Sequence, residues 1–291
     1  KEEPKEEPKE EPKEEPKEEP KEEPKEEPKE EPKEEPKEEP KDLFAFPSNK
    51  DEFTLEEGDP IHDKEIYTIY GRKGSGKTTL AFAFPGEIVC LSYDGKSSRT
   101  KKKMYQGDDR IHVYHPLKFV DYRSPERFQL SCNKMYHYTH YIIDNTNPDW
   151  FVFDNANFFS QICEMAMREK NNLQPYQGIK NRNLWKERNL LVRQVFRKAL
   201  KKAKKGIIFV TLTEFKEYVK DGEEKSEELP KWFDMIMLET DTTISICVVK
   251  GKFFAVIENS KTNLETGAKI DITGKEKLKE FSKVIENENR D

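Results

Sequence analysis

The chain has 291 residues and a formal charge of −6, from 52 Lys and Arg against 58 Asp and Glu. The acidic excess sits in ten copies of Lys-Glu-Glu-Pro over residues 1–40; without them 42 basic side chains face 38 acidic ones, and the 251 residues that follow suffice for one α/β domain with a sizeable core. No apolar run reaches the length of a membrane span, the N-terminus is the opposite of a signal peptide, and Cys90, Cys132, Cys163 and Cys247 form no C-x-x-C pair. These features argue against a membrane protein, a secreted disulfide scaffold and a zinc site, and predict a soluble, cytoplasmic protein with reduced cysteines.

In chain order, residues 1–40 read as a disordered, polyproline-like arm, because a proline at every fourth position removes a helical donor each turn. Residues 41–60 form a lead-in broken by Pro47 and Gly58, and residues 61–291 the remaining domain. Ile66 to Tyr70 predicts a strand, Lys77 to Phe84 a helix, and Glu87 to Leu91 a second strand ending in Ser92-Tyr93-Asp94-Gly95. Residues 96–123 are mixed, with a short strand at Ile111 to Tyr114; Pro125 to Asn145 predicts a helix that stops before Pro148. Trp150-Phe151-Val152-Phe153 is a continuous apolar run, the mark of a central strand buried on both faces. A helix from Phe158 to Glu169 follows, then a polar loop, a long helix from Leu184 to Lys205, and a buried strand from Gly206 to Thr211. The charged segment 215–231 reads as an exposed loop. Met235 to Glu239, Ile244 to Lys250 and Phe253 to Glu258 predict late strands, and Lys275 to Glu286 a final helix. Alternating strands and helices predict an α/β fold, a mostly parallel sheet with helices on both faces and a late antiparallel β-meander.

Between the first strand and the first helix stands Gly71-Arg72-Lys73-Gly74-Ser75-Gly76-Lys77-Thr78, a complete G-x-x-x-x-G-K-[ST] phosphate loop. Its glycines permit backbone conformations closed to other residues, so successive N–H groups can wrap an anion ahead of the helix. Lys77 is placed to reach the β- and γ-phosphates of ATP, Thr78 to ligate Mg²⁺, and Thr79 completes the binding segment. A nucleotide site of this kind needs a carboxylate in the metal shell. Asp154, after four apolar residues, projects from the carboxyl edge of its strand and is assigned that role; Asp144, after Tyr141-Ile142-Ile143, is the competing candidate. Asp94 ends the second strand where an acid could orient water. Thr211 and Thr213 are candidates for a polar sensor of the γ-phosphate.

The phosphate loop, the Leu91-Ser92-Tyr93-Asp94 strand end, Trp150 to Asp154, Ile207 to Thr213 and the segment Val256 to Ile272 together resemble the RecA-like ATPases, in particular short phage and archaeal forms related to RadA. The resemblance covers residues 60 to 275. It implies Mg²⁺-dependent ATP hydrolysis with an acid at Asp94, a metal-shell aspartate at Asp154, a sensor at Thr213 and a basic residue, Lys261, that reaches a neighbouring subunit's nucleotide. It also implies a homo-oligomer acting on single-stranded DNA in recombination, annealing or replication. Asp94 is shorter than the family's Glu, and Thr213 replaces a Gln or His. The segment where the family's DNA loop would lie holds more Glu than Lys; basic clusters stand instead at Arg99 to Lys103 and from Arg197 to Lys205. Two other classes use the same loop: a small-molecule phosphotransferase, with Arg168, Arg182, Arg188 and Arg193 as a lid, and a non-hydrolysing scaffold assembled by ATP.

Overall fold

The computed structural model describes residues 64–220, 223–231 and 239–288. The repeat arm, the lead-in and residues 235–238 of the expected strand Met235–Glu239 lie outside the described residues. The elements are β1 (Glu65–Gly71), α1 (Lys77–Ala81), β2 (Ile88–Ser92), α2 (Ser97–Met104), β3 (Ile111–Tyr114), a 3₁₀ turn (Pro116–Phe119), α3 (Pro125–Asp144), β4 (Trp150–Asp154), α4 (Ala156–Lys170), α5 (Arg182–Lys202), β5 (Gly206–Lys220), β6 (Glu223–Pro230), β7 (Thr242–Val249), β8 (Lys252–Ser260), β9 (Lys269–Asp271) and α6 (Gly274–Glu288).

The strands run in the order β3-β2-β4-β5-β1-β7-β8-β9, with β6 paired to β5 alone. From β3 across to β7 every neighbouring pair is parallel. The antiparallel pairs β7·β8 and β8·β9 close the opposite edge, which is the expected meander. The apolar runs explain why the central strands sit inside. Side chains alternate across the sheet, so Phe151, Phe153, Ile207 and Phe209 pack with α3, α4 and α5 on one face. Trp150, Val152, Ile208 and Val210 pack with Leu80 of α1 and with Phe281 and Ile285 of α6 on the other. Edge-to-face aromatic contacts fix each layer: Phe84 and Trp150 at 5.3 Å on one side, Phe153 and Phe196 at 5.0 Å on the other.

Three expectations are corrected. Segment 215–231 is not a loop: β5 continues to Lys220 and pairs antiparallel with β6, Thr213 opposite Pro230 and Lys216 opposite Glu227. Charged residues occupy much of both strands, and the Lys216–Glu227 pair sets opposite charges across the ladder, where they stabilise pairing. Residues 96–123 contain a helix, α2, whose run of lysines hides an inward face carrying the buried Ser97. The first helix stops at Ala81 instead of Phe84, and Phe82 and Phe84 turn back wholly buried into the core.

Candidate nucleotide-binding site

The sheet order places the carboxyl ends of β1, β2, β4 and β5 along one edge, and there a cleft of about 450 Å³ opens, within the size range of small-molecule sites. The phosphate loop forms one side. Gly74 and Gly76 have φ of +82° and +92°, values that strain any residue with a Cβ. A Cβ at Gly74 would meet nothing, so the loop is open there, whereas one at Gly76 would stand 3.7 Å from the Phe253 ring. Lys73, Gly74, Gly76, Lys77, Thr78 and Thr79 line the cleft. Arg72 points elsewhere: its guanidinium pairs with Glu228 of β6 and lies 5.5 Å over the Phe215 ring. The Ser75 hydroxyl is buried without a partner among the described residues.

Lys77 donates from Nζ to the carbonyls of Gly71 (3.0 Å) and Arg72 (2.8 Å). Burial pushes its pKa below the ordinary lysine value, while the nearby Asp154 and Asp94 pull the other way. Thr78 donates from Oγ1 to Asp154 Oδ2 at 2.9 Å. Asp154 is only 3% exposed, and burial first, then the charge of Asp94, raise its carboxyl to about 6. A desolvated carboxylate touching the loop hydroxyl is a ready partner for a cation. Among the described residues no cluster of three or more His, Cys, Asp or Glu could hold a metal. One buried carboxylate beside the loop hydroxyl is a donor set that fits Mg²⁺, which typically takes one or two carboxylates with water and substrate phosphate. The buried Asn155 Oδ1, which lines the cleft and has no hydrogen-bond partner among the described residues, adds an oxygen that a bound group can satisfy.

Asp94 also lines the cleft, and its Oδ1 accepts from the Lys96 N–H at 2.8 Å and, more distantly, from Ser92 Oγ at 3.4 Å. Thr211 and Leu212 reach the cleft from β5; the Thr211 hydroxyl is engaged, donating to the Lys231 carbonyl at 3.0 Å. Thr213 does not line it, and its hydroxyl is buried without a partner among the described residues. Lys261 lies outside the cleft, 3.7 Å from Asp241 and well exposed. The competitor Asp144 is eliminated: it ends α3 at the surface, 2.6 Å from Lys198. Arg168, Arg182, Arg188 and Arg193 form no lid on the cleft. Arg168 is buried, pairing with Glu164 and donating to the Gln174 and Gln177 carbonyls, and Arg193 pairs with Glu239.

Two groups of residues escape a sequence reading. One is the apolar wall of Met104, Phe253, Ile272 and Leu278, brought from α2, β8, the segment after β9, and α6. The other is the serine pair behind Asp154: Ser97 Oγ lies 2.7 Å from both Asp154 Oδ2 and Ser92 Oγ. A serine preceding a helical stretch is a start signal, but nothing in the chain order reveals that Ser97 turns inward.

A mostly parallel sheet with helices on both faces, a phosphate loop after its first strand and an aspartate at the end of β4 define a RecA-like P-loop fold. Residues 63–244 match the AAA domain family AAA_24, and the chain belongs to that family. Nucleotide binding follows from that membership. No curated protein matches the chain. Similar solved structures include an ATPase from the type III secretion system of pathogenic bacteria, at 12% identity and TM-score 0.37, covering 63% of this chain and 52% of that one. The chain thus spans about half the length of that ATPase. Another is a KaiC-like protein from the hyperthermophilic archaeon Pyrococcus horikoshii OT3, at 11% identity and TM-score 0.38, covering 71% of this chain and 84% of that one. No described helix is long and apolar enough to cross a membrane.

Proposed function

We propose that the chain binds ATP with Mg²⁺ and hydrolyses it, and that it acts on single-stranded DNA as an oligomer. The observation that carries the first half is the contact of the Thr78 hydroxyl with the buried Asp154 carboxylate beside Lys77, at the mouth of a glycine-lined loop. In this reading the N–H groups of residues 71–78 and the Lys77 ammonium hold the phosphates, and Thr78 and Asp154 hold the metal. When bound, Mg²⁺ supplies charge neutralisation on the phosphate oxygens. Asp94, with its described hydrogen bonds on Oδ1, keeps Oδ2 to orient a water and accept its proton. Thr213 fits a sensor role only through movement of β5, since its hydroxyl is not on the cleft.

The DNA reading is supported by exposed basic side chains on α2 and α5, among them Arg99, Lys102, Lys201 and Lys202. The β5–β6 hairpin is too rich in Glu to be the phosphate-binding surface. Lys261, exposed and away from its own cleft, suits a contact with a neighbouring copy's nucleotide. Residues 1–40 are a solubilising repeat outside the domain spanning 61–291 in a cytoplasmic protein, so their removal leaves melting temperature and turnover unchanged; a large loss in either would refute that reading.

Two variants test the site. Lys77→Ala abolishes tight ATP binding, while Asp154→Asn retains binding and loses about 100-fold or more in turnover, because phosphate contacts survive loss of the metal-shell charge. Wild-type turnover in either variant refutes the reading. Turnover that does not respond to single-stranded DNA, with no salt-sensitive binding, refutes the DNA half alone.

A further inference from the structure

We propose that Ser97 is a positioning residue for the metal-shell carboxylate, an inference that rests on the nucleotide and metal reading above. Ser97 is the first residue of α2, where a serine commonly turns back on its own backbone. Instead its side chain is wholly buried, with Oγ 2.7 Å from Asp154 Oδ2 and 2.7 Å from Ser92 Oγ. A hydroxyl has one proton to donate. The carboxylate is the stronger acceptor, so the Ser97 proton goes to Asp154, with Ser92 Oγ, itself a donor to Asp94, as its close neighbour.

Asp154 Oδ2 therefore takes two hydroxyl donors from different elements, Thr78 of α1 and Ser97 of α2. Two donors on one oxygen fix the plane of the carboxylate; one donor leaves it free to turn about its last side-chain bond. Ser97 also sets α2 against the end of β4. Two further side-chain hydrogen bonds of α2, Lys101 to the Ile111 carbonyl and Ser98 with His115, hold it to β3 and the residue after it. Thr100 and Lys103 of the same helix line the cleft, so the hydroxyl that orients Asp154 also holds that wall in place. Partners behind a metal ligand typically contribute 10- to 100-fold, roughly, in metal affinity or activity.

The test uses the full chain and a fluorescent ATP analogue, titrated with Mg²⁺ and with EDTA, for wild type, Ser97→Ala and Ser97→Thr, with melting temperature measured alongside. Wild type binds more tightly with Mg²⁺. Ser97→Ala keeps its affinity in EDTA and loses about tenfold of its affinity in Mg²⁺; Ser97→Thr, which keeps the hydroxyl, restores it. Unchanged Mg²⁺ dependence in Ser97→Ala overturns the inference and leaves the nucleotide reading standing. Parallel losses in Mg²⁺ and EDTA, unrelieved by Ser97→Thr, show a purely structural role and also overturn it. A wild type that binds the analogue in neither buffer defeats the nucleotide reading itself. Should Ser97→Ala fail to fold, Ser97→Cys, close in volume and a weak donor, carries the same expectations.

Discussion

The two halves of β5 show how differently one strand can be specified. From Gly206 to Val210 it lies between β4 and β1 with Ile207, Ile208, Phe209 and Val210 buried on both faces. From Thr213 onward it has a single partner, β6, and its apolar side chains Phe215 and Tyr218 stand 57% and 39% exposed. The inner half is dictated by removal of apolar surface from water. The outer half is dictated by ladder hydrogen bonds and cross-strand pairs, each worth only about 0.2–1 kcal/mol. The same backbone conformation therefore rests on unequal foundations.

The largest expected effect falls on the inner region. Phe153 is wholly buried against Phe159, Phe196 and Phe209, so Phe153→Ala should cost about 3–5 kcal/mol in denaturant unfolding. A loss below about 1 kcal/mol would mean the layer collapses around the gap. Next comes the cleft end of the same strand. Asp154 has its carboxyl raised from 3.8 to about 6 by burial and Asp94. Between those pH values the folded state holds a proton that the unfolded state releases, so stability from this group is full below the lower value and lost as pH rises through the upper one. Asp154→Asn, which can still accept from Thr78 and Ser97, should exceed wild type in magnesium-free buffer at about pH 8 by on the order of 3 kcal/mol. The difference should vanish towards about pH 4; equal melting temperatures at the higher pH would show that the charge is already compensated. The smallest effect belongs to the hairpin. Glu228 pairs with Arg72 across exposed surface, so Glu228→Ala should change stability by less than about 1 kcal/mol. A larger loss would show that the hairpin is integral to the core.

That contrast also explains what a reader of the sequence can see. The β4 strand is visible because Trp150 to Phe153 has no polar interruption, and the phosphate loop because its glycines and Lys77-Thr78 occupy fixed spacings. The hairpin is obscured because Glu and Lys dominate it. Its one signal in the sequence is Asp221-Gly222, a common turn dipeptide between the two charged runs. α2 is obscured for a related reason: Arg99 and Lys101 to Lys103 lower its apolar periodicity, and the residue that matters inside, Ser97, is small and polar. Asp144 competes with Asp154 on paper because Tyr141-Ile142-Ile143 resembles a short strand. In the fold Ile142 and Ile143 are the buried face of α3, and Asp144 is left at the surface. The apolar wall of the cleft was beyond reach, since Met104 and Leu278 meet only through sheet order.

Phe253, Ile272 and Leu278 lie C-terminal to the stretch, 63–244, that matches the AAA domain. A molecule filling the cleft thus touches the loop near the start of the domain and the helix near its end. Occupancy becomes a fastener: it ties α6 to the body, and amide exchange along Lys275 to Phe281 should slow when ATP is added. A protein trimmed after residue 244 would retain every phosphate-loop residue and lose that clasp.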